Sequence, residues 1–178
     1  MPDDEAAPAA RASAAWLSTR VLVAVAATVV ALDQVTKALV RAWLPLYESV
    51  SIVPQLLDFT HVRNTGAAFG LLNAVDIPFK PLLMTTIALA ALVAIGVFAV
   101  RTSPTEPLAR LGLALVFGGA TGNLIDRVTA GYVIDFVDVY WGGWHFWAFN
   151  VADAAITVGA CLLILDTAIL NRNVPTTA

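Results

Sequence analysis

Charged residues are scarce in this chain of 178 residues. Asp, Glu, Lys and Arg make up 13% of it, whereas ordinary soluble domains contain about 25%. Apolar residues make up 59%, and the mean hydropathy is +0.79, which is typical of an integral membrane protein. The formal net charge of −3 provides no basic surface, so we expect no nucleic-acid partner.

Residues that supply nucleophiles and metal ligands are also few. The chain has one cysteine, Cys161, in an apolar run, and two histidines, His61 and His145, without an H-E-x-x-H motif. We therefore expect no internal disulfide, no zinc site and no other cofactor. No G-x-S-x-G motif or phosphate-binding loop occurs. Carboxylates remain as the groups available for catalysis.

Four apolar stretches are long enough to be transmembrane helices. The sequence predicts spans at about residues 18–43, 81–100, 108–125 and 149–170, so the membrane domain is expected at residues 18–170. Residues 1–17 are expected to form a disordered tail and residues 171–178 a short polar tail. The first stretch could instead be a cleaved signal peptide. We favour an uncleaved span because the apolar pattern resumes after Lys37 and the first residues are acidic.

The segment between the first two spans, residues 44–77, has a different pattern. Its prolines and the alternating pieces SVSIV and LLDFTHV indicate strands. Because it is too long for a simple connection, we expect a small β-rich element on one membrane face. It closes with the motif RNTGAAFG, whose Asn64 and Gly66 could hold an extended peptide, although an ordinary turn explains the motif equally well.

Polar side chains are concentrated in residues 118–156, between two apolar stretches. They are Asn123, Asp126, Arg127, Asp135, Asp138, Asn150 and Asp153. Such groups are expensive to bury in a membrane, so they are paired, hydrated or functional. One hypothesis is that they are catalytic, and the other is that they only cap helices and hold them together.

Asp135 and Asp153 are the candidates for catalysis because they lie where the chain enters or leaves hydrocarbon. Two facing carboxylates share a proton, since like charges at short range oppose double ionisation. The ionised carboxylate can take a proton from water, and the protonated one can bind a scissile carbonyl. This is peptide hydrolysis without a covalent intermediate.

Other residues have structural explanations. Asp33 and Lys37 are four residues apart on one helix face and can form an ion pair. Gly118 and Gly122 have the spacing that lets two helices approach closely. Arg127 could hold a carboxylate in a bidentate fork.

An even number of spans places both termini on one side of the membrane and residues 44–77 on the other. Five basic residues fall on the terminal side and four on the opposite side. The positive-inside rule therefore slightly favours cytoplasmic termini.

Five motifs, in this order, give the chain a resemblance to a known family. They are DQVTK (33–37), RNTGAAFG (63–70), GGATGNLIDR (118–127), VIDF (133–136) and FNVADAAI (149–156). In these motifs the chain resembles lipoprotein signal peptidase, also called signal peptidase II, an intramembrane aspartic protease of bacteria. The resemblance covers nearly everything but the tails.

The resemblance implies a fold, an activity and a location. It implies an all-α membrane protein of four transmembrane helices with a small extracytoplasmic β-rich cradle and cytoplasmic termini in the inner membrane. It also implies cleavage of signal peptides from prolipoproteins, before a cysteine that carries diacylglycerol. The expected partners are lipidated prolipoproteins and membrane lipid, and we expect a monomer.

The motifs also imply roles for particular residues. Asp135 and Asp153 match the catalytic pair. The residues expected to line the site and support substrate binding are Asn64, Gly66, Asn123, Asp126, Arg127 and Asn150, and those expected to form a structural polar pair are Asp33 and Lys37. Asp126 is the rival of Asp135 for the pair, and we place it as a structural partner of Arg127. Asp138 receives no role.

Two alternatives use the same residues differently. A small transporter or proton-relay subunit could also use intramembrane aspartates. A structural membrane scaffold would tolerate their replacement by asparagine.

Overall fold

Four helices that are long and apolar enough to cross a membrane occur in the described part of the chain, residues 18–66 and 77–172 of a computed structural model. They are α1 (Thr19–Trp43), α2 (Lys80–Arg101), α3 (Pro107–Ala130) and α4 (Val151–Arg172). The prediction of four spanning helices is confirmed. The tails predicted at residues 1–17 and 173–178 lie outside the described residues, as do residues 67–70 of the RNTGAAFG motif.

A small antiparallel sheet completes the fold. Its strands are β1 (Ser49–Val53), β2 (Leu57–Asn64), β3 (Val133–Trp141) and β4 (Trp144–His145), in the spatial order β1-β2-β3-β4. The prediction of a small β-rich element is confirmed, but half of its strands come from residues 133–145, outside the expected segment 44–77. The pairing of β2 with β3 sets Val62 opposite Asp135 and Asn64 opposite Val133.

The sheet is anchored on the end of α1. Ile134 and Phe136 of β3 pack with Val40 and Leu44 in a buried apolar cluster. Because successive side chains of a strand point to opposite faces, Asp135 is directed away from this cluster.

Helix α3 is central because it packs against each of the other three helices. A Cβ atom at Gly118 would lie 2.8 Å from the carbonyl oxygen of Ala26 in α1, and one at Gly119 would collide with the carbonyl of Ala152 in α4. Adjacent glycines therefore let α3 approach two neighbours on two faces.

The ends of two helices differ from the prediction. Helix α3 continues to Ala130 instead of residue 125 and ends at Gly131, whose φ of 78° is the left-handed conformation common after a helix. Asp126 and Arg127 lie inside the last turns of α3, because Lys37 and Gly66 provide them with partners. Helix α4 begins at Val151 and reaches Arg172, so residues 171 and 172, expected in the tail, are helical.

Candidate active site

The start of α4 positions one of the two candidate carboxylates. The backbone N–H of Asn150 donates to Asp153 Oδ2 (3.2 Å), and the backbone N–H of Asp153 donates to Asn150 Oδ1 (2.9 Å). This reciprocal pair is the arrangement of a capping box, which satisfies N–H groups left without helical partners. The Nδ2 group of Asn123 in α3 donates to the second oxygen, Asp153 Oδ1 (2.8 Å).

Strand β3 brings the other carboxylate to the same place. Asp135 is 3% exposed, and its two oxygens accept hydrogen bonds from Asn150 Nδ2 (2.7 Å) and Asn64 Nδ2 (3.0 Å). Asn150 therefore contacts both candidate carboxylates, Asp135 through its side chain and Asp153 through its backbone.

The pKa of Asp135 is raised to about 7, mainly by burial and also by the negative charge of Asp153. The hydrogen bonds from Asn64 and Asn150 and the charge of Lys37 oppose this shift in pKa. Asp135 thus holds a proton up to near neutral pH and can act as a hydrogen-bond donor there.

A fully buried lysine in α1 joins this helix to α3, and its partner Asp33 joins α1 to α4. Lys37 Nζ lies 2.8 Å from Asp33 Oδ2, 3.0 Å from Asp126 Oδ2 and 2.9 Å from Asn123 Oδ1. The predicted pairing of Asp33 with Lys37 is present, and Asp33 Oδ1 also accepts from the backbone N–H of Ala152 in α4 (3.0 Å). Each charge at this depth has an opposite charge or a hydrogen bond, as a buried ionic group requires.

A second chain of contacts joins α3 to the sheet. Arg127 Nη2 donates to the carbonyl oxygen of Gly66 (3.1 Å), and the backbone N–H of Gly66 donates to Asn64 Oδ1 (3.0 Å). All ten predicted site residues therefore belong to one connected network of hydrogen bonds and ion pairs. Asp138 lies apart from it and pairs with His145 at 3.0 Å.

The comparisons with known proteins decide the family. The sequence-family model described as signal peptidase (SPase) II matches residues 25–169 of this chain. The chain belongs to the signal peptidase II family.

Relatives of known name match most of the chain. A lipoprotein signal peptidase of Geobacter metallireducens is 46% identical over 147 residues, which cover 83% of this chain and 90% of that protein. A lipoprotein signal peptidase of Shewanella halifaxensis is 44% identical over 160 residues, covering 89% and 88%. A bacterial membrane enzyme solved by the in meso method at 2.3 Å resolution shares the fold with a TM-score of 0.80 and 31% identity, covering 90% of this chain and 95% of that chain.

Membership of the signal peptidase II family makes this chain a peptidase and therefore a hydrolase. The four apolar helices and the membrane-enzyme neighbours make it a multi-pass membrane protein. The family assignment favours the peptidase hypothesis over the transporter and the scaffold.

The placement of Asp126 as a structural partner of Arg127 stays a prediction, and the negative charge of Asp126 does act on Arg127. The carboxylate of Asp126 pairs with Lys37 and accepts a hydrogen bond from the backbone N–H of Ile134 (3.3 Å), whereas Arg127 reaches Gly66. Consecutive residues of an α-helix point about 100° apart, so their side chains do not face each other. Asp126 also holds the start of β3 through the backbone N–H of Ile134.

Sequence reasoning missed Gln34. Its Nε2 group donates to the carbonyl oxygen of Gly122 (3.1 Å) and to Asp126 Oδ1 (3.4 Å), which links α1 to α3. The available signal was its place beside Asp33 in DQVTK, one of the five motifs on which the resemblance rests.

Metal ligands do not cluster in residues 18–66 and 77–172. No group of three or more His, Cys, Asp or Glu side chains there could hold a metal ion.

Proposed function

We propose that this chain is an intramembrane aspartic endopeptidase in which Asp135 and Asp153 form the catalytic pair. The observation that carries the proposal is the double contact of Asn150, which ties both carboxylates to one amide residue. The charge of Asp153 also contributes to the raised pKa of Asp135, as expected for two carboxylates that share a proton.

The two carboxylates have different roles in this proposal. Asp153 is the ionised member, because it lies in the first turn of α4, where the helix dipole favours negative charge. It takes a proton from water while the water oxygen attacks the scissile carbonyl carbon. Asp135 is the protonated member and donates its hydrogen bond to the carbonyl oxygen as negative charge develops there. When the carbon–nitrogen bond breaks, the proton held by Asp153 passes to the leaving amine.

The substrate is a prolipoprotein that carries diacylglycerol on its cysteine, and cleavage occurs just before that cysteine. The names of the relatives and the five motifs support this proposal. A catalytic pair at the junction of helices and sheet would let the diacylglyceryl chains stay in the bilayer, because the peptide bond is cut at the interface. Asn64 and Arg127, beside the pair, are suited to hold extended substrate backbone.

The orientation is part of the proposal. The termini are cytoplasmic, and the sheet and the catalytic pair lie near the extracytoplasmic face of the inner membrane. The positive-inside rule slightly favours this orientation, because five basic residues fall on the terminal side and four on the sheet side.

The test is cleavage of a lipidated prolipoprotein by purified protein carrying one substitution at a time. We expect Asp135→Asn and Asp153→Asn to reduce turnover by about 10⁴-fold or more, because each removes a group that acts on the reacting atoms. Asp126→Asn should keep measurable cleavage, because its carboxylate pairs with Lys37.

Matched controls exist on the same elements. Asp138→Asn in β3 and Asp166→Asn in α4 make the same chemical change away from the network and should cleave at near the wild-type rate. Full activity of a folded Asp135→Asn or Asp153→Asn protein would refute the catalytic pair. Loss of activity in Asp126→Asn with activity kept in Asp135→Asn would move the pair to Asp126 and Asp153.

A further inference from the structure

A lateral groove separates α1 from α2 along the surface of α3. Its volume is about 770 Å³, within the range of pockets that hold a drug-sized ligand, about 300–1,000 Å³. The walls are apolar side chains of the three helices, and the groove runs from Thr121 to the end of the bundle at which α1 begins.

Small residues create this groove. Ala26 and Ala27 of α1, Gly96 and Ala99 of α2, and Ala114 and Gly118 of α3 all line it. Because none of these side chains extends beyond Cβ, the three helices leave an apolar volume that opens sideways toward the bilayer. In hydrocarbon such a volume is filled by an apolar chain.

The groove is on the opposite face of α3 from the catalytic pair. Arg110, Phe117 and Thr121 line it at the spacing of one helix face. Asn123, which binds Asp153, is two residues beyond Thr121, a rotation of about 200°. The groove is therefore separate from the site where cleavage is proposed.

Arginines lie at the terminal end of the groove. Arg110 lines it and donates to the hydroxyl of Thr19 (3.3 Å), which also lines it. Arg20 and Arg101 are exposed and adjoin the lining residues Thr19, Val100 and Thr102. The loop between α2 and α3 adds one acidic residue, Glu106, so the described residues that adjoin this end of the groove include three arginines and one carboxylate.

We propose that this groove binds one phospholipid with an anionic headgroup. The acyl chains lie along the alanine and glycine walls. The phosphate lies at the terminal end, where the Arg110 guanidinium meets it. An arginine fork matches the geometry of a phosphate, and juxtamembrane basic residues attract anionic lipid headgroups.

The experiment measures lipid binding to the purified full chain by native mass spectrometry. Phosphatidylglycerol and phosphatidylcholine with identical acyl chains are titrated separately. We expect phosphatidylglycerol to bind at least about fivefold more tightly than phosphatidylcholine, because one arginine near an anionic headgroup contributes about 1 kcal/mol. Arg110→Gln should bind the two lipids with about equal affinity. Arg41→Gln, at the other end of α1, should keep the preference for phosphatidylglycerol.

Two further variants test the position of the acyl chains. Ala114→Phe and Ala99→Phe fill the groove from α3 and from α2, and each should abolish binding of both lipids. Two variants on different helices keep the test decisive if one of them fails to fold, which the cooperativity of thermal unfolding will reveal.

Three results would overturn the proposal. The first is equal binding of the two lipids by the wild type. The second is unchanged lipid binding in a folded groove-filling variant, which would show only non-specific lipid at the protein surface. The third is displacement of phosphatidylglycerol by an equimolar apolar signal-peptide segment, which would make the groove a peptide site.

Discussion

Amide side chains are as important as carboxylates at the candidate active site. Asn123 and Asn150 each contact two or more polar residues, and Asn150 Nδ2 also donates to the carbonyl oxygen of Ile134 (3.2 Å). A buried amide with both ends engaged fixes its neighbours in position, and its removal leaves several groups unsatisfied. The positions of Asp135 and Asp153 therefore depend on residues that carry no charge.

The raised pKa of Asp135 predicts the pH dependence of cleavage. The proposed mechanism needs Asp135 protonated, so kcat/KM should fall as the pH rises through about 7. The Asn64 hydrogen bond lowers this pKa by favouring the charged form, so Asn64→Ala should move the fall to higher pH. Profiles of kcat/KM against pH for the two proteins measure both effects.

A nearby substitution serves as the control for the pH profile. Tyr140→Phe removes a hydroxyl that donates to Asp58 (3.1 Å) in the same sheet and should leave the profile where it is. A downward shift for Asn64→Ala, or no loss of activity up to pH 9, would contradict the protonated role of Asp135.

Lys37 is predicted to be essential for stability. Its replacement by methionine leaves the buried carboxylates of Asp33 and Asp126 without their cation. Removing one partner of a buried ion pair is expected to lower the free energy of unfolding by about 3–5 kcal/mol. Arg41→Met, one turn further along α1 and exposed, should change it by less than about 0.5 kcal/mol. Unfolding in detergent monitored by circular dichroism compares them, and equal stability of Lys37→Met and wild type would contradict the prediction.

At the scale of elements, the packing of α3 on α4 uses two contacts spaced by seven residues. Gly112 meets Gly159, and Gly119 meets Ala152. A Cβ at Gly112 would lie 2.7 Å from the carbonyl oxygen of Gly159, and one at Gly159 would lie 2.6 Å from that of Gly112. Two turns separate the contacts on each helix, so the same face of α3 meets α4 twice.

Gly119→Ala is therefore predicted to impair the site from a distance. The added methyl group collides with the backbone of Ala152, next to Asp153, and must push α4 away from Asn123. Displacement of a catalytic group by about 1 Å can reduce turnover by about 100-fold. We expect a loss of kcat of that order, measured on lipidated prolipoprotein.

Gly96→Ala is the matched control for this prediction. A Cβ at Gly96 would lie 3.4 Å from the ring of Phe117, an ordinary contact, so the variant should cleave at near the wild-type rate. Equal rates for both alanine variants would show that close approach of α3 and α4 does not position the catalytic pair.

At the scale of the whole molecule, the sheet lies at one end of the bundle, and the start of α1 and the end of α4 lie at the other. The loop between α2 and α3 is on the terminal side, and the hairpin of β3 and β4 is on the sheet side. The hairpin exposes Trp141 and Trp144. Exposed tryptophans are common where a membrane protein meets the interface.

This arrangement predicts which loops are reachable from outside the cell. In a Cys161→Ser background, Gly143→Cys in the hairpin should react with a membrane-impermeant maleimide on intact spheroplasts. Thr105→Cys in the loop between α2 and α3 should react only after the membrane is opened, and the reverse pattern would invert the proposed topology. Labelling after detergent treatment controls for the reactivity of each cysteine.

Much of the fold was predictable because the bilayer allows few backbone arrangements. Apolar stretches of about 20 residues form helices in hydrocarbon, where each backbone polar group needs an internal partner. The end of α3 was predicted five residues early because Asp126 and Arg127 resemble the end of a span. Partners distant in sequence, Lys37 and Gly66, keep them within the helix.

The sequence by itself determined the four spans, the β-rich segment and the identity of the residues that could carry chemistry. These follow from local composition, periodicity and motifs. The tertiary structure decided the partners: Asp126 with Lys37, Asp135 with Asn64 and Asn150, and Arg127 with Gly66. The physical reason is that helix and strand periodicities fix the face on which a side chain lies, whereas the packing of α1, α3, α4 and β3 determines which faces meet.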